Sequence, residues 1–280
     1  MSLRFRKRKQ TKRVAIVELD RLFDLVFVRP PPDSYVDCVS TNPDSSKIDV
    51  NLTKQQHREY VSVLKECGVK VTELPTLEAF PDSVFMQDPA LLGVRRSIVG
   101  RFGEYRRRGE ERKLVDDLNK CEDEIGKPHF VVPPGTLEGG DIVVSDRGIF
   151  VGESDRTNSN GIIQLTSFLS EIMVVPVKTD LLHLLCGCSY LTNRDLIIAP
   201  EVVDPHSFSG FQFITIPKEE VYACDALYVG DERVIISSGF TRATAKLKSA
   251  GYKPIEVEMS EFHKGDGGVT CLSSPVYKLL

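Results

Sequence analysis

The chain has 280 residues, 41% hydrophobic and 27% charged, with a formal net charge of −4, a balance that suits a soluble globular enzyme with a sizeable core and excludes a disordered or fibrous chain. Its apolar runs are too short to span a bilayer, and its basic start lacks the apolar stretch of a signal peptide, so a cytoplasmic protein with no membrane partner is expected. Seven cysteines at irregular spacing argue against a disulfide framework and for a reducing compartment.

The charge is unevenly spread. Residues 4–13, RFRKRKQTKR, hold seven of the 36 basic residues and no acid, which leaves 29 basic against 40 acidic groups in the remainder. The first 13 residues read as a solvated basic tail and residues 14–280 as a single catalytic domain. The acidic body repels phosphate, which disfavours nucleic acid, and favours a small cationic substrate. A homo-oligomer is compatible with these patterns.

After the tail, Leu22 to Val28 form an apolar strand stopped by three prolines. The polar stretch from Pro30 to Asn51 carries neither a helical nor a strand period, and loops of that length inside compact domains are commonly lids. A helix follows, with Thr53 and Gln56 spaced as a capping box, Tyr60, Val61, Leu64 and Cys67 on one face, and Gly68 as its stop. The same device returns with Leu114, Val115, Leu118, Cys121 and Ile125 before Gly126, and with Ala243, Leu247 and Ala250 before Gly251. Ile162, Ile163, Leu165, Phe168, Leu169 and Ile172 supply a further stripe.

Between the helices an apolar run recurs five times, closing at Pro75, Pro133, Pro176, Pro217 and Met259, at spacings of 58, 43, 41 and 42 residues. Fixed periods of this size mean repeated units that must stack or close around an axis. Each reads strand, strand, helix, strand, except the fourth, which lacks a convincing helix. Each closure is followed by a second apolar strand with polar residues at its mouth: Asp82 and Asp88, then Glu138 and Asp141, then His183, then Asp225, then Asp266 and Cys271. In a ring of modules those mouths converge in one central cavity.

The chemistry centres on HKGDGGVTCLSSP, His263 to Pro275, where a Gly-rich turn after a strand is expected to deliver Cys271 to an exposed edge. Cysteine is most often a small buried hydrophobe, and it attacks only as thiolate, so Cys271 needs a cationic neighbour, which the substrate can supply. His183 is the acid/base candidate by module phase, since His57 and His206 lie in polar surface contexts and His129 begins a strand. Cys186 and Cys188 with His183 suggest zinc, but on a strand the two cysteines point one way and the histidine the other, so no metal and no cofactor is expected. Glu138 in TLEGGDIVV is either a solvated turn acid or an acceptor for substrate or His183. Asp82 and Asp88, six apart, share one face of an extended chain; with no Lys or Arg in phase to pair with them, a planar guanidinium from outside would fit.

The segments FPDSVFMQDPALL, LEGGDIVV, VGESDRTN, the His183 stretch and GDGGVTC together resemble the dimethylarginine dimethylaminohydrolases, of the superfamily that also holds arginine deiminases and amidinotransferases. The likeness runs from Leu22 onward. It implies a five-bladed pseudo-symmetric α/β propeller, with Cys271 as nucleophile, His183 as general acid/base, Glu138 as its acidic partner, and Asp82 and Asp88 gripping the guanidinium. It also puts Arg101 and Arg156 where relatives bind the substrate carboxylate, and Asp266 in the matching turn before the cysteine. Gln87 stands where many relatives have Glu, which bears on substrate recognition. The implied reaction hydrolyses an Nω-methylated arginine to citrulline and an amine. Arginine deiminase, amidinotransferase and non-catalytic binding readings stand beside it.

Overall fold

The structure is a computed structural model that describes residues 20–120 and 125–280. The basic tail and Cys121 lie outside the described residues. β1 (Phe23–Val28) is followed by a long connection with two 3₁₀ turns, then by α1 (Val50–Glu66) and β2 (Lys70–Glu73). Next come β3 (Ala90–Gly93), β4 (Arg96–Val99), α2 (Glu110–Leu118) and β5 (Lys127–Phe130), then β6 (Ile142–Ser145), β7 (Gly148–Glu153), α3 (Ser159–Phe168) and β8 (Val174–Lys178). β9 (Cys188–Tyr190), β10 (Asp195–Ile198) and β11 (Gln212–Thr215) follow, then β12 (Leu227–Gly230), β13 (Arg233–Ser237), α4 (Thr241–Ser249) and β14 (Lys253–Val257). The short α5 (Ser260–His263) leads to β15 (Ser273–Tyr277).

One pairing pattern repeats. β3 lies antiparallel to β4, and β4 runs parallel to β5 after the α2 crossover. The same antiparallel-then-parallel order joins β6, β7 and β8, then β9, β10 and β11, then β12, β13 and β14. It joins β15, β1 and β2 as well, so the last strand and the first make one unit. Because β15 also runs parallel to β3, two units share a six-stranded sheet in the order β2-β1-β15-β3-β4-β5. Among the described residues the β9 to β11 unit has no α-helix in its crossover, only a 3₁₀ turn at Pro205–Ser207.

Burial grades across each unit. The first strands β3, β6 and β12 are buried at every residue, whereas the third strands β2, β5 and β11 are mostly exposed or half-buried. Apolar runs flanked by turn residues therefore become inner strands, and the sequences broken by Lys, Glu and Pro lie at the rim, where an edge strand with charges resists further pairing. The helices lay their apolar stripes on this framework through Tyr60 and Leu64, Leu114 and Leu118, Leu165, and Ala243 and Leu247, all nearly inaccessible.

Two local expectations change. α1 begins a turn before Thr53, because the Asp49 carboxylate accepts the amides of Asn51 and Leu52 and so caps the helix. Thr53 then donates its hydroxyl back to the Asp49 carbonyl, and Gln56 reaches Ser260. His57, expected at the surface, is 1% exposed on the inner face of the same helix. Among the described residues no helix is long and apolar enough to cross a membrane, and the six described cysteines are free.

Candidate active site

Five loops, each leading directly into the first strand of a unit, supply the polar side chains that the fold draws together. Asp88 precedes β3, Glu138 to Asp141 precede β6, His183 precedes β9, Asp225 precedes β12, and Cys271 precedes β15. Asp82, Asp88, Arg107, Arg156, His183, Asp266 and Cys271 line one cleft, with Phe85 and Leu182 among its apolar walls.

Cys271 sits in a 3₁₀ turn, Thr270–Leu272, rather than on an exposed strand edge, and it is only 8% accessible. The Gly268 amide points at its Sγ from 3.4 Å, and the thiol lies 3.8 Å from Asp225 Oδ2. Asp225 in turn accepts the Thr270 amide at 2.6 Å. Burial, reinforced by Asp225 and Asp88, pushes the Cys271 thiol well above the usual cysteine range. Left to its protein neighbours, the sulfur is a neutral thiol.

The imidazole of His183 meets Glu138 through Nε2 and Oε2 at 2.8 Å, and its Nδ1 lies 3.7 Å from Asp88 Oδ1. Burial opposes a charge on this ring, yet Asp88, Glu138 and Asp141 outweigh it and raise the histidine to about 9. Burial would also raise Glu138, but the bond to His183 and the charges of His183, Arg107 and Arg156 hold that carboxyl below the ordinary glutamate range. Its other oxygen accepts the amides of Gly103 and Glu104 at 2.8 and 3.2 Å. Glu138 is fully buried, so it is the acceptor for His183 and not a solvated turn acid. Gly140 makes the approach possible, since a Cβ there would stand 2.5 Å from His183 Nδ1 and 2.7 Å from Asp88 Oδ1.

Asp82 and Asp88 lie in turns and not on an extended strand, but both reach the cleft. The expectation that no cation pairs with them is corrected by Arg107. This guanidinium is buried, bonds Asp88 Oδ2 at 2.6 Å and Glu110 at 2.9 Å, and packs over the Phe102 ring at 4.5 Å. It is the second of three consecutive arginines, Arg106 to Arg108. Only the 3₁₀ turn at Tyr105–Arg107, capped by Glu104, selects it for the interior. Arg156 reaches the cleft beside Glu138, 3.5 Å from Oε2.

Of three further candidates, Arg101 and Gln87 do not line the cleft and Asp266 does. Arg101 pairs its backbone with Leu137 and gives its guanidinium to the Gly135 carbonyl at 3.2 Å, outside the cleft lining. Gln87 turns its amide onto the Gly139 carbonyl at 3.2 Å and faces a separate apolar cavity. Asp266 lines the cleft, but its Oδ2 accepts the Thr41 amide at 2.5 Å and the Thr41 hydroxyl at 3.0 Å. Asp225, beside the sulfur, was visible in the sequence only as one mouth residue among several.

Cys186 ends a 3₁₀ turn and Cys188 begins β9, so the alternation of one continuous strand does not relate them to His183. Asp88, Glu138 and His183 are the group among the described residues whose ligand atoms, within 4.8 Å of one another, could hold a metal ion. Glu138 and His183 are already bonded to each other and Asp88 to Arg107, an arrangement suited to moving a proton at the imidazole.

The profile of the family described as "N,N dimethylarginine dimethylhydrolase, eukaryotic" matches residues 37–278. The N(G),N(G)-dimethylarginine dimethylaminohydrolase of Pseudomonas aeruginosa is 38% identical over 255 residues, covering 90% of this chain and 99% of that protein. An uncharacterized protein of Aeropyrum pernix is 40% identical over 269 residues, covering 93% and 98%. Among solved structures, a cysteine-to-serine variant of the P. aeruginosa enzyme complexed with citrulline superposes with a TM-score of 0.85 at 36% identity, covering 91% of this chain and 100% of that one. A histidine-to-glycine dimethylarginine dimethylaminohydrolase bearing an S-methyl-L-thiocitrulline adduct gives 0.84 with the same coverage. On the breadth of the profile match and on identities above one third across nearly the whole chain, the chain belongs to the N,N-dimethylarginine dimethylhydrolase family.

Proposed function

We propose that this chain hydrolyses the guanidino group of an Nω-methylated arginine to citrulline and a free methylamine, through a covalent adduct on Cys271. The observation that carries the reading is the shared cleft of one thiol, one carboxylate-bonded imidazole and the carboxylates of Asp82 and Asp88. It is supported by the P. aeruginosa relative's name and by its complex with citrulline.

The steps follow from the residues. Asp82 and Asp88 hold a planar cation by charge-assisted hydrogen bonds and bring its central carbon over Sγ. The positive charge next to the sulfur offsets the carboxylates that keep it protonated, so the thiol sheds its proton to solvent and the thiolate adds to the guanidinium carbon. His183, protonated near neutral pH, gives its proton to the departing amine as that C–N bond breaks. Water then adds to the amidino carbon and loses a proton to His183. As the added oxygen gives its remaining proton to solvent, the C–S bond breaks, restoring the thiolate and leaving the ureido group. Glu138 keeps the ring oriented and charged, and Arg156 takes the substrate carboxylate.

The same reading makes residues 14–280 one catalytic domain, whose five pairing units close as blades of an α/β propeller around the cleft. The free cysteines support a cytoplasmic setting. Cys271→Ser should abolish turnover while retaining citrulline binding by calorimetry, and a near-normal rate in that variant would remove the scheme. Measuring citrulline released from dimethylarginine and from arginine side by side decides the leaving group.

A further inference from the structure

The proton that leaves Cys271 needs an acceptor, and His183 is not free to be one. That imidazole bonds Glu138 through Nε2 and is held protonated near neutral pH, at about 9; once charged, both of its ring nitrogens are donors. Among the described residues two polar groups reach the sulfur. The Gly268 amide is a donor, so Asp225 Oδ2, 3.8 Å away, is the acceptor that the S–H meets.

The surroundings of Asp225 aim it at that contact. Its Oδ1 is pinned by the Thr270 amide at 2.6 Å, which leaves Oδ2 turned to the thiol. Gly268 makes the room, since a Cβ there would stand 2.2 Å from Oδ2. The carboxylate is 2% exposed, and among the described residues no cation forms an ion pair with it. Asp88 and Glu138, by contrast, are paired with Arg107 and with His183. A buried carboxylate without a counter-charge gains by taking up a proton. Burial raises this one to about 6, so that it is still a base at pH 7.5.

We propose that Asp225 is a catalytic residue, the first acceptor of the thiol proton, which crosses from Sγ to Oδ2 as a cationic substrate settles over the sulfur. The inference deepens the reading of the cleft as a guanidino site and rests on it. The S–H bond breaks, an O–H bond forms on Asp225, and one negative charge moves from oxygen to sulfur without a second being made. In the ligand-free site the pair stays thiol and carboxylate, because burial and the nearby anions oppose a charge on sulfur. A guanidinium held by Asp82 and Asp88 reverses that balance. The thiolate then attacks beside a neutral carboxyl and not beside an anion. Once the sulfur is bonded to carbon it carries no charge, and the carboxyl, titrating at about 6, gives the proton up to water.

Because the proton stays inside the pair, attack on a cation should not depend on pH while Asp225 starts ionised. Labelling of Cys271 by chloroacetamidine, a cation, and by iodoacetamide, a neutral reagent, is followed by peptide mass between about pH 6.5 and 8, since thiolate is the species that reacts. In the parent protein the iodoacetamide rate should climb by about tenfold per pH unit, whereas the chloroacetamidine rate should stay within about twofold. In Asp225→Asn both should climb, because the proton then leaves only to water. With dimethylarginine as probe, Asp225→Asn should lower kcat at neutral pH by about a hundredfold, the deficit shrinking as pH rises, although its thiol is the more reactive toward iodoacetamide. A chloroacetamidine rate that climbs with pH in the parent, or one that stays level in both proteins, would overturn the proposal. So would an Asp225→Asn kcat equal to or above that of the parent. Slower labelling of Asp225→Asn by both reagents would mark a displaced nucleophile turn and overturn it as well. If Asp225→Asn does not fold, Asp225→Ser takes its place in every comparison. A parent with the level chloroacetamidine profile that releases no citrulline from dimethylarginine would keep the relay and discard the assigned substrate.

Discussion

Asp225 is the clearest place to test how this site controls its nucleophile. Its Oδ2 lies 3.8 Å from Cys271 Sγ, and burial raises its own carboxyl to about 6, so at pH 7.5 it is ionised and opposes a thiolate. Two unit charges at that distance repel by about 4 kcal/mol at an effective dielectric of 20 and by about 1 kcal/mol at the value for water. Asp225→Asn removes the charge, keeps the shape, and leaves an amide oxygen to accept the Thr270 amide. With one factor of ten in ionisation per 1.36 kcal/mol, the thiolate population well below the thiol pKa should rise at least about fivefold and at most about a thousandfold. The assay is the pH dependence of Cys271 carboxamidomethylation, read by peptide mass. In the parent protein the rate should climb with pH through the neutral range without a plateau, because the thiol is held protonated. In Asp225→Asn the curve should move to lower pH. An unmoved or slower curve, with an unchanged melting temperature, would refute the electrostatic account of the thiol.

Two further changes probe the framework around it. Arg107→Met leaves Asp88 and Glu110 buried without their shared partner, so urea unfolding should report a loss of about 3 to 5 kcal/mol, and a loss under 1 kcal/mol would mean that water or another cation replaces it. Gly140→Ala places a methyl group against the His183 ring; turnover should drop by about a hundredfold through displacement of the imidazole, whereas preserved kcat would mean that the ring has room to move.

Much of this arrangement could be read in advance, for physical reasons that differ by element. The runs of fixed spacing announced the repeated units because each closes the same element of a unit, the half-buried third strand β2, β5, β8, β11 or β14. The candidate acids, histidine and cysteine stood at corresponding points before the first strands, so loops distant in the chain could be expected to meet. Side-chain direction within the loops was beyond reach. Strand parity put Asp82 and Asp88 in the right place on the wrong backbone, and it gave no way to choose Arg107 from three consecutive arginines or to see that Arg101 bonds the Gly135 carbonyl. Gln87 shows the same limit, since its neighbour Asp88 faces the cleft while its own amide is taken by Gly139. The capping-box spacing of Thr53 and Gln56 misplaced the helix start because these side chains bond the Asp49 carbonyl and Ser260, while the Asp49 carboxylate takes the first amides.

β15 lies between β1 and β3, so the strand completed last in sequence is the one that unites the earliest two sheet segments. Its partners are separated from it by most of the chain, and contacts of such long range slow the search for the native state. During that search the thiol just upstream has no imidazole and no paired carboxylates beside it. Reactivity toward guanidinium compounds should therefore emerge in the final cooperative stage of refolding, well after helix signal has returned.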